Sequence, residues 1–388
     1  MDTRVSRGTT VKLGVVEGDL VGEDRIVIHA EDGLKVTVKG KARFQGSVDI
    51  ECSFECISLD AKHGVVRVEG HLAVNDYIDV EKALYSRGSV SCRTIDVGGK
   101  LVVGEALTAD KVDVGGSVDV DSDAKCGKVD VGGSLSVRGS VNFEELDVGG
   151  SVEIGGGVVS ETIDVGGILR AKSPLEFGRI DLGGIADLTG GKGKSIEVGG
   201  RLRSKGDLRC EDLSVGGVVD IDGTLDARRA EVGGRIRVTR DLTSSERLEV
   251  GGVMEVRGVL AGSEVEVGGS LRAYKAVLSG SGRVGGSIET SQGLRAKSIE
   301  LGDGGQAVGV LVASEVEIGS QAAVQDVYCN ELRVDDGSVL GRVFAESAEL
   351  GDNCVLEKIV YTKTLREGER VRYRSPPEKV ESLPPFPV

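Results

Sequence analysis

Seven cysteines are the side chains of this sequence that could bind a metal ion or carry redox chemistry. Zinc sites use paired thiolates such as C-x-x-C together with a second ligand pair, but Cys52 and Cys56 have three residues between them and no second pair. Four other cysteines share one position of a repeat that is otherwise filled mainly by Ala, Ser and Gly: Cys92, Cys126, Cys210 and Cys329. We therefore predict buried, reduced thiols that pack as small hydrophobic side chains, with no metal and no cofactor.

Carboxylates also recur at one position in thirteen of the sixteen repeats, from Asp96 to Glu349, and could bind divalent cations. Acidic side chains about 5 Å apart on successive strands would repel one another, and a cation would relieve that repulsion. Basic side chains two residues upstream, such as Lys111 and Arg179, offset the charge, and the calcium-binding nonapeptide pattern is missing. We interpret the column as a solvated face that keeps the protein soluble.

The sequence contains few of the residues and motifs that usually perform catalysis. The three histidines, His29, His63 and His71, lie outside the regular repeats, and a lone histidine in a strand region is more often structural than catalytic. The sequence has no P-loop and no G-x-S-x-G motif. We predict no catalytic residues and a protein that is not an enzyme.

These columns belong to a repeat of about 17 residues that contains a hydrophobic residue, an acid, Val and two glycines, as in Asp96-Val97-Gly98-Gly99. The residue before the first glycine is aliphatic in every copy, and the residue before that one is usually Asp or Glu. This alternation predicts a strand with one face inside and one in water. The first glycine, or its equivalent, recurs at Gly98, Gly115, Gly132, Gly149, Gly166, Gly183, Gly199, Gly216, Gly233, Gly251, Gly268, Gly285, Gly302, Gly319, Asp335 and Gly351.

Seventeen residues allow about three short strands and three corners, which describes one coil of a triangular parallel β-solenoid. We expect the glycines to turn the corners by adopting positive φ. A helical fold is excluded because the 60 glycines would each cost up to about 1 kcal/mol in a helix. The predicted fold is all-β, a single-stranded parallel β-helix of about 21 coils that forms a rod on the order of 100 Å long.

The chain is predicted to hold one continuous solenoid between two short ends. The prolines after Ser375 cannot donate hydrogen bonds to a strand ladder, so we expect the tail to be disordered. The predicted segments are a flexible N-terminal segment 1–10, a solenoid 11–374 with less regular coils 11–90, regular repeats 91–357 and a terminal coil 358–374, and a Pro-rich disordered tail 375–388.

A second outward column alternates in charge, which places opposite charges over each other in neighbouring coils. Such alternation opposes slips by one coil, so we assign it a structural role. Its members are Arg170, Asp187, Arg203, Asp220, Arg237, Glu255, Arg272 and Glu289.

Composition excludes several classes of protein. A net charge of −15 disfavours a nucleic-acid partner, which clustered Lys and Arg would have to bind. No stretch has the roughly 18 apolar residues of a membrane-spanning helix, and the first residues lack the apolar core of a signal peptide, so we predict a cytoplasmic protein. A sugar-active solenoid enzyme is a distant alternative, because aromatic residues are only 3% of the chain.

The short coils resemble those of the bactofilin family of polymer-forming cytoskeletal proteins. The resemblance lies in V-x-V and I-x-V pairs with glycine corners, as in Gly14-Val15-Val16-Glu17-Gly18-Asp19-Leu20 and Gly46-Ser47-Val48-Asp49-Ile50, and in the Pro-rich tail. It implies a right-handed parallel β-helix that polymerises end to end, without nucleotide, into cytoplasmic filaments used as scaffolds.

The terminal strands are the predicted assembly interface, since the first and last coils of a solenoid expose unpaired N–H and C=O groups. The last apolar strands contain Ile359, Val360, Tyr361, Val371 and Tyr373. The main predicted partner is therefore a second copy of the chain, with the Pro-rich tail as a further contact for a protein or a membrane. The alternative is a monomeric rod that displays its acidic face to a protein partner or to cations.

Overall fold

The computed structural model describes residues 2–385, apart from the side chains of Val158 and Val159. The chain forms two compact units, unit 1 at Met1–Gly193 and unit 2 at Lys194–Val388. Both units are parallel β-solenoids, and together they contain about 22 turns with strands about 17 residues apart. The predicted fold class is confirmed. The predicted continuity of the solenoid between residues 193 and 194 stays a prediction.

Alternating side chains explain why each turn forms strands. In the turn that begins at Leu107, Val112, Val114 and Val118 are at most 1% exposed, whereas Asp113 and Asp119, which alternate with them, reach solvent. A strand points successive side chains to opposite faces, so this pattern places Val inside and Asp outside. The core is a thin aliphatic column, and within residues 2–385 there is no helix long and apolar enough to cross a membrane.

The strands of unit 1 are two to nine residues long, and they pair with strands of neighbouring turns. They are β1 Thr3–Val5, β2 Thr10–Leu13, β3 Val15–Val16, β4 Leu20–Gly22, β5 Ile26–Ala30, β6 Lys35–Val38, β7 Lys41–Phe44, β8 Val48–Ile50, β9 Ser53–Ala61, β10 Val65–Val68, β11 Leu72–Val80, β12 Ala83–Ser86, β13 Val90–Val97, β14 Lys100–Val103, β15 Leu107–Val114, β16 Ser117–Val120, β17 Ala124–Val131, β18 Ser134–Val137, β19 Val141–Val148, β20 Ser151–Ile154, β21 Val158–Val165, β22 Ile168–Ala171, β23 Leu175–Leu182 and β24 Ile185–Leu188.

The strand β25 Gly191–Val198 contains the point at which the chain divides into its two units. The strands of unit 2 range from two to 15 residues in length. They are β26 Arg201–Ser204, β27 Leu208–Val215, β28 Val218–Ile221, β29 Leu225–Val232, β30 Arg235–Val238, β31 Leu242–Val250, β32 Val253–Val267, β33 Ser270–Leu278, β34 Ser281–Val284, β35 Ser287–Thr290, β36 Leu294–Arg295, β37 Ser298–Leu301, β38 Gln306–Ile318, β39 Ala323–Val334, β40 Val339–Leu350, β41 Val355–Glu367, β42 Arg372–Tyr373 and β43 Glu378–Lys379.

Register follows the repeat, so that equivalent residues of successive turns stack. Val97 pairs with Val114, and Val114 pairs with Val131, in parallel strands. Where a turn has a different length, the register shifts locally, as between Ala227 and Arg229. Extra residues are therefore absorbed without moving the aliphatic column out of the core.

The paired glycines at the corners have a different cause from the one predicted. At Gly115, Gly132 and Gly149, φ lies outside the left-handed region, so the expectation of positive φ is wrong there. A Cβ on Gly132 would lie 2.4 Å from the carbonyl oxygen of Gly115, and a Cβ on Gly149 would lie 2.5 Å from that of Gly132. Glycine is needed because successive turns approach too closely for any side chain.

The first residues also differ from the prediction of a flexible segment 1–10. Thr3–Val5 forms β1, which pairs with β4 through Thr3↔Leu20 and Val5↔Gly22. The Thr3 N–H donates to the Asp19 carbonyl oxygen at 2.8 Å, and Val5 is buried. The segment is ordered because Val5 adds to the core. Met1 lies outside the described residues.

The tail differs from the predicted disordered segment 375–388 as well. Glu378–Lys379 forms β43, which pairs with Val360 and Tyr361 of β41. Pro376 and Pro377 lie at the corner between β42 and β43, so their missing N–H groups remove no ladder hydrogen bond. Residues 386–388 of this predicted segment lie outside the described residues.

The column of alternating charge stacks as predicted. Arg203 is in register with Asp220, and Arg272 with Glu289. The Arg272 guanidinium lies 2.7 Å from the Glu289 carboxylate, whereas the Arg170 and Asp187 groups are 3.8 Å apart. These pairs are solvent-exposed, so each adds little stability, and their main effect is on register.

Candidate functional site

The cysteines occupy the interior, as the repeat predicts. All seven are free and buried. Burial raises the pKa of the Cys126 thiol to about 12 and that of Cys92 to about 11. Thiols that stay protonated are poor nucleophiles and poor metal ligands. Among the described residues, no group of three His, Cys, Asp or Glu side chains is arranged to hold a metal ion.

The histidines contact three different carboxylates. His29 Nδ1 lies 3.2 Å from Glu51, His63 Nδ1 lies 2.6 Å from Glu81, and the distance from His71 Nδ1 to Glu105 is 3.4 Å. Each histidine is thus engaged in its own surface contact.

One carboxylate column in unit 1 forms an uninterrupted row of aspartates, in which each member is in register with the next. Burial, followed by the flanking aspartates, raises the pKa of Asp79 and of Asp164 above the usual value. Lys111 approaches Asp113 to 3.6 Å and partly offsets the repulsion. We call this row the aspartate row: Asp60, Asp79, Asp96, Asp113, Asp130, Asp147, Asp164 and Asp181.

Three of the predicted interface residues, Ile359, Val360 and Tyr361, are not at an open edge. They lie within β41, which pairs with β40 on one side and with β42 and β43 on the other. Ile359 is fully buried and Val360 is 5% exposed. The tail returns alongside β41, so these residues already have strand partners within the chain.

The other two predicted residues, Val371 and Tyr373, belong to the last described turn and are half-buried. Tyr373 takes the inward position that Leu356 holds one turn earlier. Its hydroxyl donates to Glu367 Oε1 at 2.6 Å, and Glu367 itself follows Leu350 in an otherwise aliphatic column. Burial, and then Glu367, raise the pKa of the Tyr373 hydroxyl. The aliphatic core therefore ends in a tyrosine–carboxylate hydrogen bond.

Further contacts hold this last turn in place. Asp352 Oδ1 accepts the Glu369 N–H at 2.6 Å, and Lys358 forms an ion pair with Glu378 at 2.8 Å. Lys379 Nζ lies 5.8 Å from the centre of the Tyr361 ring, within the range of a cation–π contact.

Within residues 2–385 the outer strands of this turn pair on one side only. β42 pairs with Val355 and Leu356, and β43 pairs with Val360 and Tyr361. The Thr364–Glu367 part of β41 likewise pairs only with β40. In the described part of the chain, these three segments leave backbone groups of the ladder without a strand partner.

Sequence reasoning missed Glu367, Lys358 and Glu378. Glu367 carried a signal, because it stands 17 residues after Leu350 in a column that is aliphatic in every regular repeat. A carboxylate there marks the end of the aliphatic core. The pairing of Glu378 had no such signal, because the tail does not follow the repeat.

No protein-family model matches the chain, and no curated protein or solved structure shows significant similarity to it. Comparison therefore leaves the resemblance to the bactofilin family as a hypothesis.

Proposed function

We propose that this protein is a non-enzymatic structural protein that assembles end to end with further copies of itself, without nucleotide, into cytoplasmic filaments or scaffolds. Membership of the bactofilin family is part of this proposal. It draws on the V-x-V coils and glycine corners of the sequence.

One observation carries the proposal, namely that the parallel ladder has an open side at the last described turn. β42, β43 and Thr364–Glu367 pair inward only among the described residues. Each earlier turn of unit 2 accepts its neighbour by the same parallel pairing, so a strand from a second copy would repeat an existing contact. Val371 and Tyr373 lie on this turn.

Charge favours contact through the turns over contact through the sides. The aspartate row opposes the side-by-side approach of two copies of unit 1. The last described turn carries both signs, with Arg372, Arg374 and Lys379 beside Glu378 and Glu381. Close approach there meets no uniform repulsion.

Electron microscopy of negatively stained protein, with sedimentation in the absence of nucleotide, tests this function. Long thin filaments are the expected result, and isolated particles at all concentrations would contradict it. The variant Val371→Lys with Tyr373→Lys should lose filaments while circular dichroism still reports β-structure. Val339→Lys is a matched control, since Val339 is 51% exposed and precedes the last turn.

The second candidate function is a rod whose acidic face binds a protein partner or cations. The aspartate row favours it, because the pKa values of Asp79 and Asp164 are raised partly by their like-charged neighbours. Melting temperatures measured with and without millimolar calcium distinguish a solvated face from a cation-binding face. Calcium should leave the melting temperature nearly unchanged if the face is only solvated, and should raise it by mass action if the face has specific sites. A large shift that magnesium does not reproduce would support cation binding.

A further inference from the structure

The middle of β41, at Val360 and Tyr361, is covered by a short return of the chain, residues 374–380, which we call the edge strap. We propose that the edge strap is an autoinhibitory cover that competes with a second copy of this chain for the edge of β41. This inference rests on the proposed end-to-end assembly and concerns its regulation.

Backbone pairing on the two sides of β41 is unequal. On one side β41 pairs with β40 from Val339↔Val355 to Leu350↔Glu367. On the other side, β42 and β43 are strands of two residues each. The N–H groups of Arg374, Ser375 and Val380 donate to carbonyl oxygens of β41 at 2.9–3.0 Å, and the Arg372 N–H donates to Cys354, just before β41, at 2.9 Å. The rest of that edge has no strand partner among the described residues, so the strap is the weakly held side.

Side-chain contacts of the strap are exposed. The Lys358 and Glu378 side chains of the ion pair are 41% and 53% exposed, and such pairs contribute little to stability. Glu378 and Lys379 are themselves exposed residues. Segments with few buried contacts open at low free energy, so the strap can leave the edge while the turns beneath it stay folded.

The surface under the strap suits a second copy of this chain. The strap is a parallel strand in register with β41, which demonstrates that this edge accepts a parallel strand of this sequence. Beside it runs a row of outward apolar side chains in which Tyr328 and Phe344 stack at 4.5 Å and Val360 is in register with Phe344. Val360 in turn is in register with Glu378 of the strap. Release of the strap would uncover both the backbone edge and the apolar end of this row.

A charge swap tests the strap on the full chain. Glu378→Lys places two lysines opposite each other and should loosen the strap, and Lys358→Glu with Glu378→Lys restores an ion pair with its signs exchanged. We expect the single variant to speed amide exchange several-fold at Ile359–Tyr361 and to lower the concentration at which polymers sediment by about threefold. The double variant should return both readouts to within about twofold of the wild type.

The two readouts separate failure of the strap from failure of the proposed function. If exchange accelerates while wild type and single variant polymerise alike, or if polymerisation falls, the strap is not an inhibitor and the inference is wrong although assembly stands. If exchange does not change, the strap is not the weakly held cover, which also overturns the inference. If exchange accelerates and no form of the protein polymerises, both the function and the inference fail.

Discussion

Gly132→Ala tests whether close stacking of turns, rather than backbone conformation, requires glycine at the corners. The added Cβ would lie 2.4 Å from the Gly115 carbonyl oxygen, about 1 Å inside an ordinary carbon–oxygen contact. The atoms that the new Cβ would meet are backbone atoms of Gly115, so the clash cannot be relieved by rotation of a side chain. The two turns must separate locally to admit the methyl group.

The cost can be worked out from the bonds at that corner. The Gly132 N–H donates to Val114 and the Gly133 N–H to Gly116, each at 2.9 Å. Forced separation costs about 1–3 kcal/mol, and each weakened hydrogen bond up to about 1 kcal/mol. Alanine also restricts the unfolded chain, which returns about 0.4–1 kcal/mol. We expect a net loss of about 2–3 kcal/mol.

Gly157→Ala is the matched control. A Cβ at Gly157 would meet no atom within 4 Å, and φ there is outside the left-handed region. This variant should be neutral or stabilised by about 0.5 kcal/mol. Urea unfolding followed by circular dichroism compares the two, and hydrogen exchange around Gly132 locates the damage, since repeat proteins can unfold in parts. Equal urea midpoints for the two variants would refute the stacking argument.

Three further expectations concern the core, the charged surface and the thiols. Val165→Asp should lower the free energy of unfolding by about 4 kcal/mol or more, because Val165 is fully buried and the new carboxylate has no partner. Asp164→Asn should raise stability by less than about 0.5 kcal/mol. Equal shifts of the melting temperature for the two variants would contradict the assignment of inside and outside. Asp212→Asn should reduce stability at pH 7, because Arg229 and Arg228 lower the pKa of Asp212 in the folded state. The stabilisation by the Asp212 carboxylate is present above its ordinary pKa of 3.8 and is lost as the pH falls through the folded pKa. The stabilities of the variant and the wild type should therefore converge in strong acid. The seven buried cysteines should resist a thiol reagent at pH 8 and react on unfolding, and rapid labelling of the native protein would show that the interior opens.

The regular turns of the fold were predictable because the alternation of apolar and polar residues agrees with the 17-residue period of the repeat. Val97 and Asp96 alternate as a strand requires, and the same pair returns 17 residues later at Val114 and Asp113. The pattern of one short strand alone does not distinguish a strand from other structures, but the same pattern repeated in many turns does.

The ends were less predictable because they break the period. The strand at Thr3–Val5 is short and carries two polar residues, so nothing in its pattern distinguishes it from a flexible segment. Pairing of Glu378 with Val360 depends on a corner at Pro376 and Pro377, and prolines by themselves favour neither pairing nor disorder. The reason for the corner glycines was hidden too, since a clash between residues one turn apart exists only after the turns are stacked.

Uniform register in unit 1 has a consequence for how such a chain can change its length. Gly115 and Gly116 meet Gly132 and Gly133 across a single turn, and every strand between them has an equivalent one turn later. Excision of residues 116–132 would join Gly115 to Gly133 and leave the aliphatic column, the aspartate row and the glycine corners in phase. Duplication of the same segment would do the reverse. In-frame gain or loss of 17 codons is therefore the mutation that this architecture tolerates best, whereas an indel of one residue must be absorbed at a corner.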